Sequence, residues 1–102
     1  MSISILKNDE LNRFEIYSDG ELAGFAEYKV SNQMISYTHT EIDTRFGGQG
    51  LGSKLIKEVL DEALEQNLEV APYCSFVSAY IKKNSEKYLH LVPESKRTSF
   101  NL

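Results

Sequence analysis

Three side chains and one run of main chain in this sequence are of types that do chemistry near neutral pH: Cys74, His39, Glu41, and the stretch Arg45-Phe46-Gly47-Gly48-Gln49-Gly50-Leu51-Gly52-Ser53. Gly47, Gly48, Gly50 and Gly52 are followed at once by an amphipathic helical run, so the backbone must turn sharply and then present a helix N-terminus. Such an end attracts anions, because its first N–H groups have no partner and the positive end of the helix dipole points the same way. Glycine suits it because a chain without Cβ takes φ > 0 and lets a phosphate touch the main chain. The plain alternative is a flexible connector ahead of a helix. Cys74 precedes a second helical run, where the dipole favours thiolate over thiol; alternatively it is a small buried apolar residue. His39 shares one strand face with Tyr37 and Glu41 under strict alternation, about 6.6 Å from each along the strand. An imidazole suits a general base, and Glu41 would orient it or act as base through water. The competing assignment makes His39 structural and Glu41 an ordinary solvated carboxylate.

The glycine stretch is not a nucleotide triphosphate loop, since Gly52-Ser53-Lys54 has the Gly-Lys-Ser/Thr order wrong. Nor is it a dinucleotide fingerprint: Gly48-Gln49-Gly50 begins one, but the third glycine falls at the wrong spacing.

The elements that must position these residues follow from periodicity. Arg13 to Ser18 alternates with period two, Asp19-Gly20 is a hairpin turn, and Glu21 to Val30 continues as a strand with Leu22, Gly24, Ala26, Tyr28 and Val30 on one face. Ser31-Asn32-Gln33 turns the chain again, and Met34 to Asp43 is a third strand. Ile3 to Leu6 is an ambiguous extra edge strand. After the loop, Leu51, Leu55, Val59 and Ala63, with Ile56, Leu60 and Leu64, make a wide apolar stripe opposite Lys54, Lys57, Glu58, Asp61, Glu62 and Glu65. Asn67 ends this central helix. A short strand follows at Glu69 to Tyr73, restricted by Pro72; then comes a second helix from Phe76 to about Lys83, with Ser75 as N-cap. Residues 88–92 pack back as a short segment, and 93–102 form a loose tail.

At 102 residues the chain is one domain, 1–102, with a single modest core. A net charge of −4 argues against nucleic acid as partner and is compatible with a cationic amine. The sequence shows neither a membrane span nor a signal peptide. One cysteine allows no internal disulfide, which fits a reducing cytoplasm.

The glycine stretch resembles the pyrophosphate loop of the GNAT superfamily of N-acetyltransferases, Arg/Gln-x-x-Gly-x-Gly/Ala at a strand-to-helix junction. Gly50-Leu51-Gly52 supplies its end, and Gly47 stands where the pattern opens on Arg or Gln. The order of elements over about 13–92 is also that of the GNAT core: an α+β fold with an antiparallel three-stranded meander, a Gly-rich loop and central helix, then a further strand and second helix. His39-Thr40-Glu41-Ile42 and Pro72-Tyr73-Cys74-Ser75-Phe76-Val77, with Tyr80-Ile81, are similar to the small single-domain members that carry a cysteine after the fourth core strand; Ser75 replaces a frequent proline. The resemblance implies an acetyl-CoA-dependent N-acetyltransferase. Gly47, Gly48, Gln49, Gly50, Leu51, Gly52 and Ser53 would hold the pyrophosphate and main-chain groups of Ile42 and Asp43 the pantetheine amides; Lys83 would reach a nucleotide phosphate or be a solvated surface lysine. Cys74 would be an acetyl-accepting nucleophile or line the thioester, with His39 and Glu41 as base; Tyr80 would donate a proton to the leaving thiolate, pack against the cofactor, or be a core aromatic. The alternatives are a CoA or acyl-CoA-binding module without transfer, and a small interaction protein. The acceptor is an amine of a small molecule or a protein lysine.

Overall fold

The computed structural model describes residues 2–102; Met1, counted in the expected domain 1–102, lies outside the described residues. β1 (Ile3–Asn8), β2 (Arg13–Ser18), β3 (Glu21–Ser31) and β4 (Met34–Ile42) form an antiparallel meander. The β2–β3 turn places Asp19 at φ 50° and Gly20 at φ 85°, the paired left-handed conformation that matches strand twist. The meander has four strands, not three, because the ambiguous first segment pairs with β2 from Ile3↔Ser18 to Asn8↔Arg13. β5 (Glu69–Pro72) adds parallel to β4, giving the order β1-β2-β3-β4-β5. With its helices, the sheet makes a mixed α+β fold.

Two β-bulges re-aim side chains that simple alternation assigns wrongly. In β3, Gly24 pairs with Ile16 and Leu22 with Tyr17, so Ala23 is the extra residue and Leu22 leaves the face of Gly24, Ala26, Tyr28 and Val30. In β4, Tyr37 pairs with Tyr28 and His39 with Glu27, so Thr38 is extra. Tyr37 therefore turns into the core, fully buried, while the His39 and Glu41 side chains remain 53% and 63% exposed. The expected shared face of Tyr37, His39 and Glu41 is corrected to His39 and Glu41 alone, since one inserted residue shifts the period-two pattern to the other face.

α1 (Leu51–Glu65) lies across one face of β2, β3 and β4 and buries Leu51, Leu55, Ile56, Val59, Leu60 and Ala63. These meet Phe14, Ile16, Ala26 and Tyr37 in the core, each large side chain contributing about 1.5–3 kcal/mol by burial. The Tyr37 hydroxyl donates to the Val59 carbonyl at 2.7 Å, which ties β4 to α1. Asn67, at φ 56°, takes the left-handed conformation just past the helix end.

α2 (Ser75–Lys83) is capped by Cys74 rather than by the expected Ser75, which is its first helical residue; no side-chain bond closes this end. α3 (Ser85–Tyr88) and the turn after it bury Tyr88, Leu91 and Val92, as the apolar segment requires. The expected loose tail is instead folded. α4 (Glu94–Arg97) leads to a 3-10 turn ending at Phe100. The Arg97 guanidinium donates to the carbonyls of Val92 and Leu89 at 2.9 and 3.2 Å, and the Ser78 hydroxyl donates to the Phe100 carbonyl at 2.7 Å. Polar composition concealed this segment because its ties go to main-chain carbonyls. Among the described residues no helix is long and apolar enough to cross a membrane.

Candidate active site

β4 and β5 pair only from Met34↔Glu69 to Tyr37↔Pro72. Beyond that point Pro72, which has no N–H, ends the ladder. The chain turns into α2 while β4 runs on alone to Ile42, so the sheet opens into a gap. Cys74 sits at its apex. Its N–H donates to the Tyr37 carbonyl at 2.9 Å and its Sγ lies 3.5 Å from Thr40 Oγ1.

The free edge of β4 has a defined direction. Asp43 donates its N–H to the Ala23 carbonyl at 2.8 Å, and main-chain groups alternate along a strand, so those of Thr40 and Ile42 point away from β3 into the gap. Of the two residues expected to offer main-chain bonds, Ile42 faces the gap and Asp43 does not. The Asp43 carboxylate accepts instead from the Arg45 N–H at 2.9 Å and its guanidinium at 3.2 Å, bonds that hold its pKa below the ordinary value. Thr40 was missed because threonine in a strand carries no signal; only the gap gives it a place.

The glycine loop follows β4 after the short turn Thr44–Phe46. Gly48 and Gly50 have φ 79° and 70°, and Gly50 caps α1 with no side-chain acceptor. The first helical bond is Lys54 N–H to Gly50 O at 3.2 Å, which leaves the amides of Leu51, Gly52 and Ser53 ahead of the ladder. A Cβ on Gly50 would meet no atom within 4 Å; the space beside this backbone is open. A Cβ on Gly52 would fall 2.8 Å from Phe76 Cζ, so its absence lets α2 approach the first turn of α1. Between these turns runs a groove of about 530 Å³ lined by Ser53, Phe76, Ala79, Tyr80, Lys82 and Lys83. Tyr80 and Lys83 thus join the loop's Ser53 in one wall. Phe76, Ala79 and Lys82 were not singled out beforehand, although positions 76, 79, 80 and 83 share one helix face by their spacing.

On the other face of the sheet, His39 Nε2 stands 3.6 Å from Glu41 Oε1. The Phe25 ring lies 6.0 Å from the imidazole, and the Arg13 guanidinium covers Phe25 at 4.6 Å. Arg13 Nε donates to Glu15 at 2.7 Å, and Tyr17 and Asn8 donate to the same carboxylate at 2.8 and 3.2 Å. Burial acts to raise the Glu15 pKa, but these hydrogen bonds outweigh it and hold the carboxyl below its ordinary value. His39 does not meet Cys74. Thr40 turns to the thiol and its neighbour His39 to the opposite face, so the two are not a thiol–imidazole pair.

Ser53 links the loop to the groove, and gap, loop and groove together suit an elongated molecule with amides along one part and anionic groups further on. The donor set fits: strand main chain for the amides, Leu51 to Ser53 N–H groups for a first anion, and Lys82 or Lys83 for a second.

A family model described as GCN5-related N-acetyl-transferase matches residues 13–91. No curated protein sequence matches the chain. Among solved structures, a GCN5-like protein of Staphylococcus aureus is 29% identical with TM-score 0.64, over 88% of this chain and 87% of its own. Ard1 of Thermoplasma volcanium is 28% identical with TM-score 0.52, over 58% of this chain and 41% of its own. N-acetylglutamate synthase of Neisseria gonorrhoeae, solved with coenzyme A and N-acetyl-glutamate, shares the fold at 16% identity with TM-score 0.59, over 95% of this chain and 26% of its own.

Proposed function

The chain belongs to the GCN5-related N-acetyltransferase family, and on that premise we propose that it transfers an acetyl group from acetyl-CoA to a primary amine at the gap between β4 and β5. What supports this is that one strand, β4, carries both a free main-chain edge at Thr40 and Ile42 and the His39–Glu41 pair, and leads through a short turn to the unpaired helix amides at Leu51 to Ser53. Bound there, acetyl-CoA supplies the thioester: the amine nitrogen forms a C–N bond to the carbonyl carbon as the C–S bond breaks.

The chain's own residues do the rest. The amides of Leu51, Gly52 and Ser53 hold the pyrophosphate, with Gly47 to Gly50 shaping the approach. Main-chain groups of Thr40 and Ile42 pair with the pantetheine amides as an added strand would. Lys83, with Lys82 beside it, meets a further phosphate. His39 takes one proton from the acceptor ammonium, and Glu41 at 3.6 Å stabilises the imidazolium that results. Tyr80 delivers a proton to the leaving sulfur, which balances the second proton shed by nitrogen as the amide forms. Cys74, separated from His39 by the strand, lines the thioester rather than attacking it.

The test is a calorimetric titration of acetyl-CoA into the wild-type protein and into Gly50→Glu, whose carboxylate would enter the open space beside the loop and repel the pyrophosphate. Saturable binding to the wild type alone, with thiol release on adding an amine, is the expected result. Binding without release from any amine would leave a CoA-binding module. No binding to either protein would remove both and leave the loop a connector.

A further inference from the structure

Beside the His39–Glu41 pair the sheet carries a second cleft, of about 410 Å³, where the start of β3 runs alongside the end of β4. Its wall includes Leu22, Phe25, Glu41, Ile42, Asp43 and Thr44. The β3 bulge creates it, because the extra residue Ala23 carries Leu22 out of the core face and onto this one. Gly24 lets the two strands close at its floor, where a Cβ would run into the Glu41 carbonyl.

The cleft is chemically uneven. Asp43 is neutralised by Arg45, whereas among the described residues Glu41 has no lysine or arginine partner and faces only His39. Leu22 and Phe25 supply apolar surface leading to that one free carboxylate, while the Ile42 side chain turns to the core. Such a site fits a cation carried at the end of a hydrocarbon stem: the stem covers the apolar side chains, the ammonium is drawn to Glu41, and Glu41 delivers it to the imidazole 3.6 Å away. We propose that this cleft is the acceptor site and that it selects a primary alkylamine with a stem of several methylenes over short or anionic amines. The assignment rests on the acetyl-transfer reaction proposed above.

A lysine side chain within a peptide and a free diamine share this chemistry, and the test separates them. Thiol release from acetyl-CoA is followed with four acceptors: a tripeptide Gly-Lys-Gly blocked at both ends, 1,5-diaminopentane, glycine ethyl ester, and free aspartate. The two long-stemmed amines should exceed the other two in kcat/KM by about tenfold or more, as two or three buried methylenes allow. Preference for the peptide over the diamine would place the source in a polypeptide, and the reverse in a small molecule.

Leu22→Lys puts a second cation in the cleft and should raise KM for the long-stemmed amine about tenfold while kcat stays within a factor of two. Val30→Lys, at a more exposed position at the far end of β3, should change neither. Calorimetry of acetyl-CoA with the same proteins separates the two levels of the argument. Loss of acetyl-CoA binding in the wild type overturns the transfer reaction itself. Intact binding with equal use of short and long amines, no use of any amine, or a Leu22→Lys KM unchanged from wild type overturns the cleft assignment.

Discussion

His39 is backed by neighbours from two other strands: Phe25 of β3 packs near the imidazole, Arg13 of β2 lies over Phe25, and Glu15 anchors Arg13. If it is the base, His39→Gln lowers kcat by about a hundredfold or more while the acetyl-CoA dissociation constant moves less than twofold. Steady-state kinetics beside calorimetry reads both quantities, and a matched loss of affinity would argue against the assignment. Glu15 gives a second prediction at this scale, on stability. Its carboxyl pKa is lower in the fold than in the unfolded chain, so its contribution is complete above the unfolded value of about 4.3 and is lost as pH falls through the folded value. Denaturant unfolding between pH 6 and pH 3 should therefore show a flatter acid limb in Glu15→Gln than in the wild type. The variant should also be less stable at pH 6, by about 1–3 kcal/mol, because Arg13 loses its charged partner.

Among the elements, the contact between α1 and α2 depends on one missing side chain. A Cβ at Gly52 collides only with the tip of Phe76, whose side chain is 44% exposed and free to swing. Gly52→Ala should leave the melting temperature unchanged or raise it slightly, since alanine favours helix by up to about 1 kcal/mol. The displaced ring would nevertheless narrow the groove, so acetyl-CoA should bind several-fold more weakly. Thermal melts and titrations on the same preparation separate the two effects; a variant that loses stability and keeps affinity would show the contact to be architectural only. The elements nearest this contact were also the most legible: α1 repeats its apolar stripe, and glycines 47 to 52 announce a turn. The two bulges were not legible, because an inserted residue such as Thr38 is defined by the partner strand it faces.

On the scale of the whole molecule, the C-terminal segment closes the fold beyond β5. Arg97 and Ser78 tie it to main-chain carbonyls, and Phe100 meets Tyr73 edge-on at 5.2 Å. Deleting residues 94–102 should therefore lower the melting temperature by about 4–8 °C for each kcal/mol lost, as for any domain of this size. A deletion that melts with the full chain would show the segment to be dispensable. Asp61 makes a comparable link from α1, accepting from Lys57 and from the Tyr88 hydroxyl, each at 2.7 Å.

The sequence by itself determined whatever depends on neighbours a few residues away. That includes the hairpin at Asp19-Gly20, the apolar face of α1, the left-handed stop at Asn67 and the anion-ready turn at Gly47 to Ser53. These follow from local sterics, helical periodicity and backbone hydrogen bonding, which act along the chain. The tertiary structure alone decided which β4 amides face the gap, that His39 and Cys74 stand on opposite faces, and that Leu22 and Glu41 border one cleft. Each of these depends on strand register and on where pairing with β5 ends at Pro72, and both are set by contacts between segments far apart in the chain.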